Sequence, residues 1–90
     1  MNKILILTTD NCEACAIAKR NINIAIMQTS CEIEVDTKDW HEEDKQFIKR
    51  KKVSDFPTVF YLINDVIVNK TVGTYPPAVY LRWIDMYFKK

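Results

Sequence analysis

A chain of 90 residues, 48% hydrophobic and 28% charged, has the composition of a folded domain rather than a disordered segment, and is expected to form a single domain over residues 1–90. Its formal net charge of +1 points to neither nucleic acid nor a membrane surface as partner. No apolar run approaches the roughly 20 residues that span a bilayer. Met1-Asn2-Lys3 before the short run Ile4–Leu7 also lacks the longer apolar region of a signal peptide, so the expected location is cytoplasmic.

Lys3 to Thr8 is a short, unbroken apolar run, which predicts a buried strand, parallel to its neighbour and covered on both faces. Thr9-Asp10-Asn11 turns the chain into a helix from Cys12 to about Met27. Asp10 or Asn11 serves as its N-cap, and Asp10 with Glu13 has the spacing of a capping box. Cys15, Ala18, Ile22 and Ala25 make its apolar face, and Lys19, Arg20, Asn21 and Asn23 its polar one. Cys31 to Asp36 then alternates, with Cys31, Ile33 and Val35 inward and Glu32, Glu34 and Asp36 outward. That is a strand with one solvated face.

Thr37 to Lys52 reads as a second helix, acidic at its front (Asp39, Glu42, Glu43, Asp44) and basic at its back (Lys49 to Lys52), as the helix dipole favours. Trp40, Phe47, Ile48 and the stem of Lys51 are expected to face the sheet. Val53 to Pro57 breaks that helix, and Thr58 to Ile63 forms a strand. Asn64-Asp65 is a tight-turn signal, and Val66 to Val72 returns as the second arm of a hairpin. Gly73, the chain's one glycine, ends it where a positive φ or a close backbone approach is needed. Pro76 and Pro77 open a last helix, where a missing N–H costs least. Tyr80, Leu81, Ile84, Tyr87 and Phe88 recur at helical spacing, and Lys89 and Lys90 close it. The expected order is β-α-β-α-β-β-α.

Candidate chemistry lies at Cys12-Glu13-Ala14-Cys15. The first thiol sits at a helix start, where unpaired N–H groups and partial positive charge favour a thiolate. The second lies one turn further in, within reach of a disulfide. Three cysteines are too few, and odd in number, for a secreted disulfide scaffold, so the close pair reads as redox-active or metal-binding. In the metal reading, Cys31 and His41 would complete a zinc set, at a spacing unlike familiar zinc ribbons. Otherwise Cys31 is a plain buried cysteine and His41 a solvated residue.

Four marks together resemble the thioredoxin/glutaredoxin superfamily: Cys12-Glu13-Ala14-Cys15 after the first strand, Val35-Asp36, Val53-Ser54-Asp55-Phe56-Pro57-Thr58 opening the third strand, and Val72-Gly73 closing the fourth. They run nearly the whole length of the chain, which is glutaredoxin-sized. The resemblance implies an α/β thioredoxin fold, a four-stranded mixed sheet with helices on both faces. It implies a thiol-disulfide oxidoreductase with Cys12 as nucleophile and Cys15 as resolving thiol, and a redox-active Cys12–Cys15 disulfide in place of any bound cofactor or metal; the alternative is a non-catalytic binding module that keeps the fold, its cysteines holding metal or docking a partner. Pro57 would be a cis-proline beside the cysteines, with Phe56, Pro57, Thr58 and Gly73 forming the substrate-binding ledge. The implied partners are disulfide-containing proteins, including ribonucleotide reductase, and a thioredoxin reductase or glutathione as electron source. The chain would act as a monomer. A Lys-, Ile- and Asn-rich composition is compatible with a phage or AT-rich bacterial source.

The chain also departs from those relatives. Asn11 stands where thioredoxins have tryptophan, and Glu13-Ala14 where they have Gly-Pro. Ile6 stands where they carry a buried acid. Thr74-Tyr75 follow Gly73 where many glutaredoxins have an acid that helps hold glutathione, which favours a reductase over glutathione as electron source. The Glu13 charge beside the thiolate raises the thiol's pKa by simple Coulomb repulsion, so a reducing dithiol is expected.

Overall fold

The alternation of strand side chains divides the core between two faces of one sheet. In a computed structural model, which describes residues 1–89, Ile4 and Ile6 of β1 (Asn2–Thr8) join Val59 and Tyr61 of β3 (Thr58–Ile63) on one face. Leu5, Leu7 and Phe60 lie on the other. The first face is covered by α1 (Glu13–Gln28), through Ala18, Ile22 and Ala25, and by α3 (Pro77–Phe88), through Tyr80, Ile84 and Phe88. The second is covered by Phe47 and Ile48 of a short α2 (Lys45–Arg50). The remaining strands are β2 (Glu34–Asp39) and β4 (Val66–Val72), and the sheet order is β2-β1-β3-β4. β2 runs parallel to β1, while β3 is antiparallel to both β1 and β4.

The expected element order is thus realised, and Asn64 and Asp65 both take positive φ, as a two-residue hairpin turn requires. No helix of the described residues is long and apolar enough to cross a membrane. Lys90, expected to close the last helix, lies outside the described residues.

Several expectations need correction. The second strand is Glu34–Asp39, not Cys31–Asp36, because its register is set by parallel pairing from Lys3↔Glu34 to Thr8↔Asp39. Cys31 and Ile33 nevertheless pack inward against the main core, as their alternation predicted. The expected helix over Thr37–Lys52 is instead a strand end, a 3-10 turn at Trp40–Glu42 and the six-residue α2. Its acidic residues act as caps: Asp39 accepts from the backbone N–H of His41, and Asp44 from that of Gln46. Each cap starts a new short helix, so one long helix cannot form across them. The N-cap of α1 is neither Asp10 nor Asn11 but Cys12 itself. Asn21, assigned to the polar face, is buried and donates from Nδ2 to the carbonyl of Tyr75 at 2.9 Å.

The Asp39 carboxylate is held below its ordinary value of 3.8, first by the backbone N–H of His41 and then by the His41 side chain. A depressed folded value means that its stabilising effect is complete above the unfolded pKa and disappears as pH falls through the folded one. The Asp39 carboxyl carbon is expected to titrate with a midpoint under 3.8 by NMR in the folded protein. A midpoint at or above that value would reject the capping role.

Candidate active site

Strand register gathers the candidate residues at one edge of the sheet. Leu7 of β1 pairs with Thr58 of β3, Thr58 with Val72 of β4, and Thr8 with Asp39 of β2. The segments just beyond these pairs, Thr9–Cys12, Trp40–Glu42, Phe56–Pro57 and Gly73–Tyr75, therefore meet at the carboxyl ends of the parallel strands, where open α/β sheets place their sites.

Asn11 takes φ +53°, a left-handed conformation that asparagine tolerates better than most residues, and this swings the chain into α1. Cys12 follows in an extended conformation, and its Sγ accepts the backbone N–H of Cys15 at 3.0 Å. The two cysteines form a disulfide, with Cα atoms 5.2 Å apart. Cys12 is half-buried, whereas Cys15 is only 4% exposed. The pair is chemically asymmetric in consequence: Cys12 is partly exposed and has a backbone N–H aimed at its sulfur, and Cys15 is shielded. Ile6, at the position of the missing acid, is fully buried with Ala18 and Ile22.

The Phe56-Pro57 bond is cis, and Pro57 is fully buried. Its carbonyl accepts the N–H of Gly73 at 2.9 Å. Thr58 is also fully buried, and its hydroxyl donates to the carbonyl of Asp55 at 2.6 Å. Its side chain fastens the turn and presents nothing to solvent. Gly73 has φ +97°, and a Cβ there would meet nothing within 4 Å. Glycine is required for its backbone conformation, and space beside it is open. Gly73→Ala is expected to cost about 1–2 kcal/mol by forcing an L-residue into that region, read as a lower urea midpoint. An unchanged midpoint would show that the loop relaxes.

The loop after Gly73 closes onto the cysteine turn. Thr74 donates from its hydroxyl to the carbonyl of Ala14 at 2.8 Å. The Tyr75 hydroxyl donates to Val72, and the Tyr80 hydroxyl to Gly73 at 3.3 Å. Burial pushes the Tyr80 phenol's pKa up, so it remains a neutral donor. Thr74 thus spends its side chain on the cysteine loop, at the place where many glutaredoxins offer an acid.

Trp40 was expected to face the sheet and does not. Its Nε1 donates to Thr9 Oγ1 at 3.2 Å, and its ring centroid lies 6.3 Å from that of Phe56. It stands between the cysteine turn and the cis-proline turn. The signal for this placement is the register of β1 on β2, which sets the residue after Asp39 level with the one after Thr8. His41 is exposed, as expected.

The zinc set does not assemble. Cys31 packs against the core before the start of β2, whereas His41 follows its end. Six strand residues separate those ends by roughly 16 Å. Among the described residues there is no group of three or more His, Cys, Asp or Glu positioned to hold a metal ion.

No family model and no curated protein matches the chain. Solved structures do. A mutant thioredoxin from Halobacterium salinarum superposes with a TM-score of 0.80 at 18% identity, over 99% of this chain and 76% of that one. Thioredoxin-2 of the malaria parasite, described as a component of its protein secretion machinery, gives 0.79 at 14% identity, over 97% and 84%. Oxidized mitochondrial thioredoxin 3 from Saccharomyces cerevisiae gives 0.75 at 15%, over 94% and 77%. The chain has the thioredoxin fold, as the resemblance implied, with a disulfide-forming cysteine pair one helical turn apart.

Proposed function

We propose that the protein is a thiol-disulfide oxidoreductase that reduces protein disulfides through Cys12 and Cys15. The observation that carries this reading is the disulfide at the start of α1, with Cys12 partly exposed and its sulfur hydrogen-bonded to a backbone N–H, and Cys15 buried. In the reduced protein, the Cys12 thiolate attacks one sulfur of a client disulfide. The client S–S bond breaks, and the departing sulfur leaves as a thiolate that takes a proton from solvent. Cys15 then loses its proton and attacks Cys12 Sγ, and the second client sulfur leaves and is protonated. Two electrons and two protons pass from the dithiol to the client, and the Cys12–Cys15 disulfide is the oxidised product. Phe56, half-buried beside the cis bond, and Gly73 border the ledge along which an extended client lies, with the side chains of Pro57 and Thr58 buried beneath it.

The electron source is a flavin-dependent reductase of the thioredoxin-reductase type rather than glutathione. Thr74, bonded to Ala14, supports this, because it leaves no acid after Gly73 to anchor a glutathione amino group. Ribonucleotide reductase, which must be re-reduced each cycle, is the client the resemblance favours, in a reducing compartment such as the cytoplasm.

Wild-type protein is expected to accelerate insulin reduction by dithiothreitol. No acceleration over dithiothreitol alone would overturn the reading. Saturable turnover with glutathione and glutathione reductase alone would reassign the electron source.

A further inference from the structure

The broken second helix opens a groove beside the site that disulfide exchange does not use. It encloses about 580 Å³, within the range of small-ligand pockets. Its apolar wall comes from Trp40, Ile48 and Val53, and its rim carries Lys45, Lys49 and Lys52. Among the described residues, none of these three lysines makes an ion pair. Glu43, the acidic residue of the lining, is engaged by Lys38 at 3.6 Å. The rim therefore presents uncompensated positive charge around an apolar slot.

Trp40 joins this groove to the active site, because the indole that walls the groove is bound to Thr9 and stands against Phe56 of the ledge. The 6.3 Å between the Trp40 and Phe56 rings is about two residues of extended chain. A client strand on the ledge would cross Trp40 and enter the groove within a few residues of its cysteine.

We propose that this groove is a client-docking subsite that takes an acidic segment with one large apolar side chain, placed a few residues from the client's disulfide. The apolar side chain fills the slot between Trp40, Ile48 and Val53, and the carboxylates face Lys45, Lys49 and Lys52. The proposal rests on the exchange reading for its link to catalysis, but the docking itself is separable. Charge complementarity favours an acidic occupant and disfavours a basic one.

The test compares disulfide-linked dimers of short peptides with the sequences Cys-Ser-Phe-Glu-Glu-Glu, Cys-Ser-Phe-Gln-Gln-Gln and Cys-Ser-Gly-Glu-Glu-Glu. Each is reduced by the dithiol form of the protein to two thiol peptides, leaving the Cys12–Cys15 disulfide. The first is expected to show a second-order rate constant about tenfold above either of the others at low ionic strength, with the charge-dependent part lost at high salt. In K45Q/K49Q/K52Q the ratio of the first peptide to the second is expected to fall to near one. A purely structural effect of the substitutions would slow both peptides together and leave the ratio intact, which would overturn the proposal, as would a ratio near one in the wild type. Fluorescence of Trp83→Phe protein, in which Trp40 is the one indole left, titrated with the first peptide, its cysteine replaced by serine, reads docking without exchange. Saturation there with no reduction of any peptide would sink the exchange reading and keep the docking one. No fluorescence response, or an equal response to phenylacetate alone, would sink the peptide docking site.

Discussion

Cys12→Ser is expected to reduce insulin at the dithiothreitol background rate, and Cys15→Ser to accumulate mixed disulfides with its clients. The two substitutions differ because the two sulfurs differ. Cys12 is the accessible one, and Cys15 is 4% exposed. Without Cys12, the remaining thiol of the pair, Cys15, is shielded from any protein disulfide, and acceleration is lost. Without Cys15, the first step survives, because the donor aimed at Cys12 Sγ is the backbone N–H of residue 15 and not its side chain. A helix-start N–H stabilises the thiolate whichever side chain follows it. The mixed disulfide then has no neighbouring thiol to resolve it, and turnover is expected to fall by at least about a hundredfold, the scale seen when one step of a covalent mechanism is removed. Mass spectrometry of the trapped adducts names the clients. Full activity from Cys12→Ser, or free turnover by Cys15→Ser, would show that the disulfide is structural.

The parts of this site that could be read from the sequence were those set by local rules. A cysteine pair one turn apart, an Asn-Asp turn and a single glycine before Pro76-Pro77 each carry a conformational preference within a few residues, and each lies where it was expected. The two faces of β1 follow from alternation alone. What escaped was set by distant partners. The limits of β2 depend on pairing with β1, which no alternation within residues 31–36 reveals. Asp39 and Asp44 fit the front of a long helix by charge, yet a short acid also caps, and capping won at both. That choice placed Trp40 beside Phe56 and the cis-proline turn rather than under the sheet. Asn21 is polar and helical, so it read as solvated. Only the arrival of the Tyr75 carbonyl, from the loop that closes on the cysteine turn, gives it a reason to be buried.

Ile6→Asp is expected to destabilise the protein by about 4 kcal/mol or more at neutral pH, a large fraction of the roughly 5–15 kcal/mol available to a small domain. The substitution places an acid where thioredoxins carry one. In this chain, however, the site is fully buried among Ile4, Ala18, Ile22 and Val59. Two costs combine. Removing the isoleucine leaves part of its volume empty, and a carboxylate there gives up its hydration for apolar neighbours. Desolvation favours the neutral acid, so the folded pKa would rise above the unfolded value of about 3.9. A raised folded value makes the variant least unstable below the unfolded pKa, and its stability falls as pH climbs through the folded one. Ile6→Asn has nearly the same shape and no proton to lose, so its urea midpoint, measured relative to wild type, should stay level over that range. The difference between the two variants as a function of pH isolates the charge from the cavity. If Ile6→Asp matched the wild type at neutral pH, water would have to reach the floor of α1. The shielding that separates Cys15 from Cys12 would then not be the reason for the different outcomes expected of their substitutions.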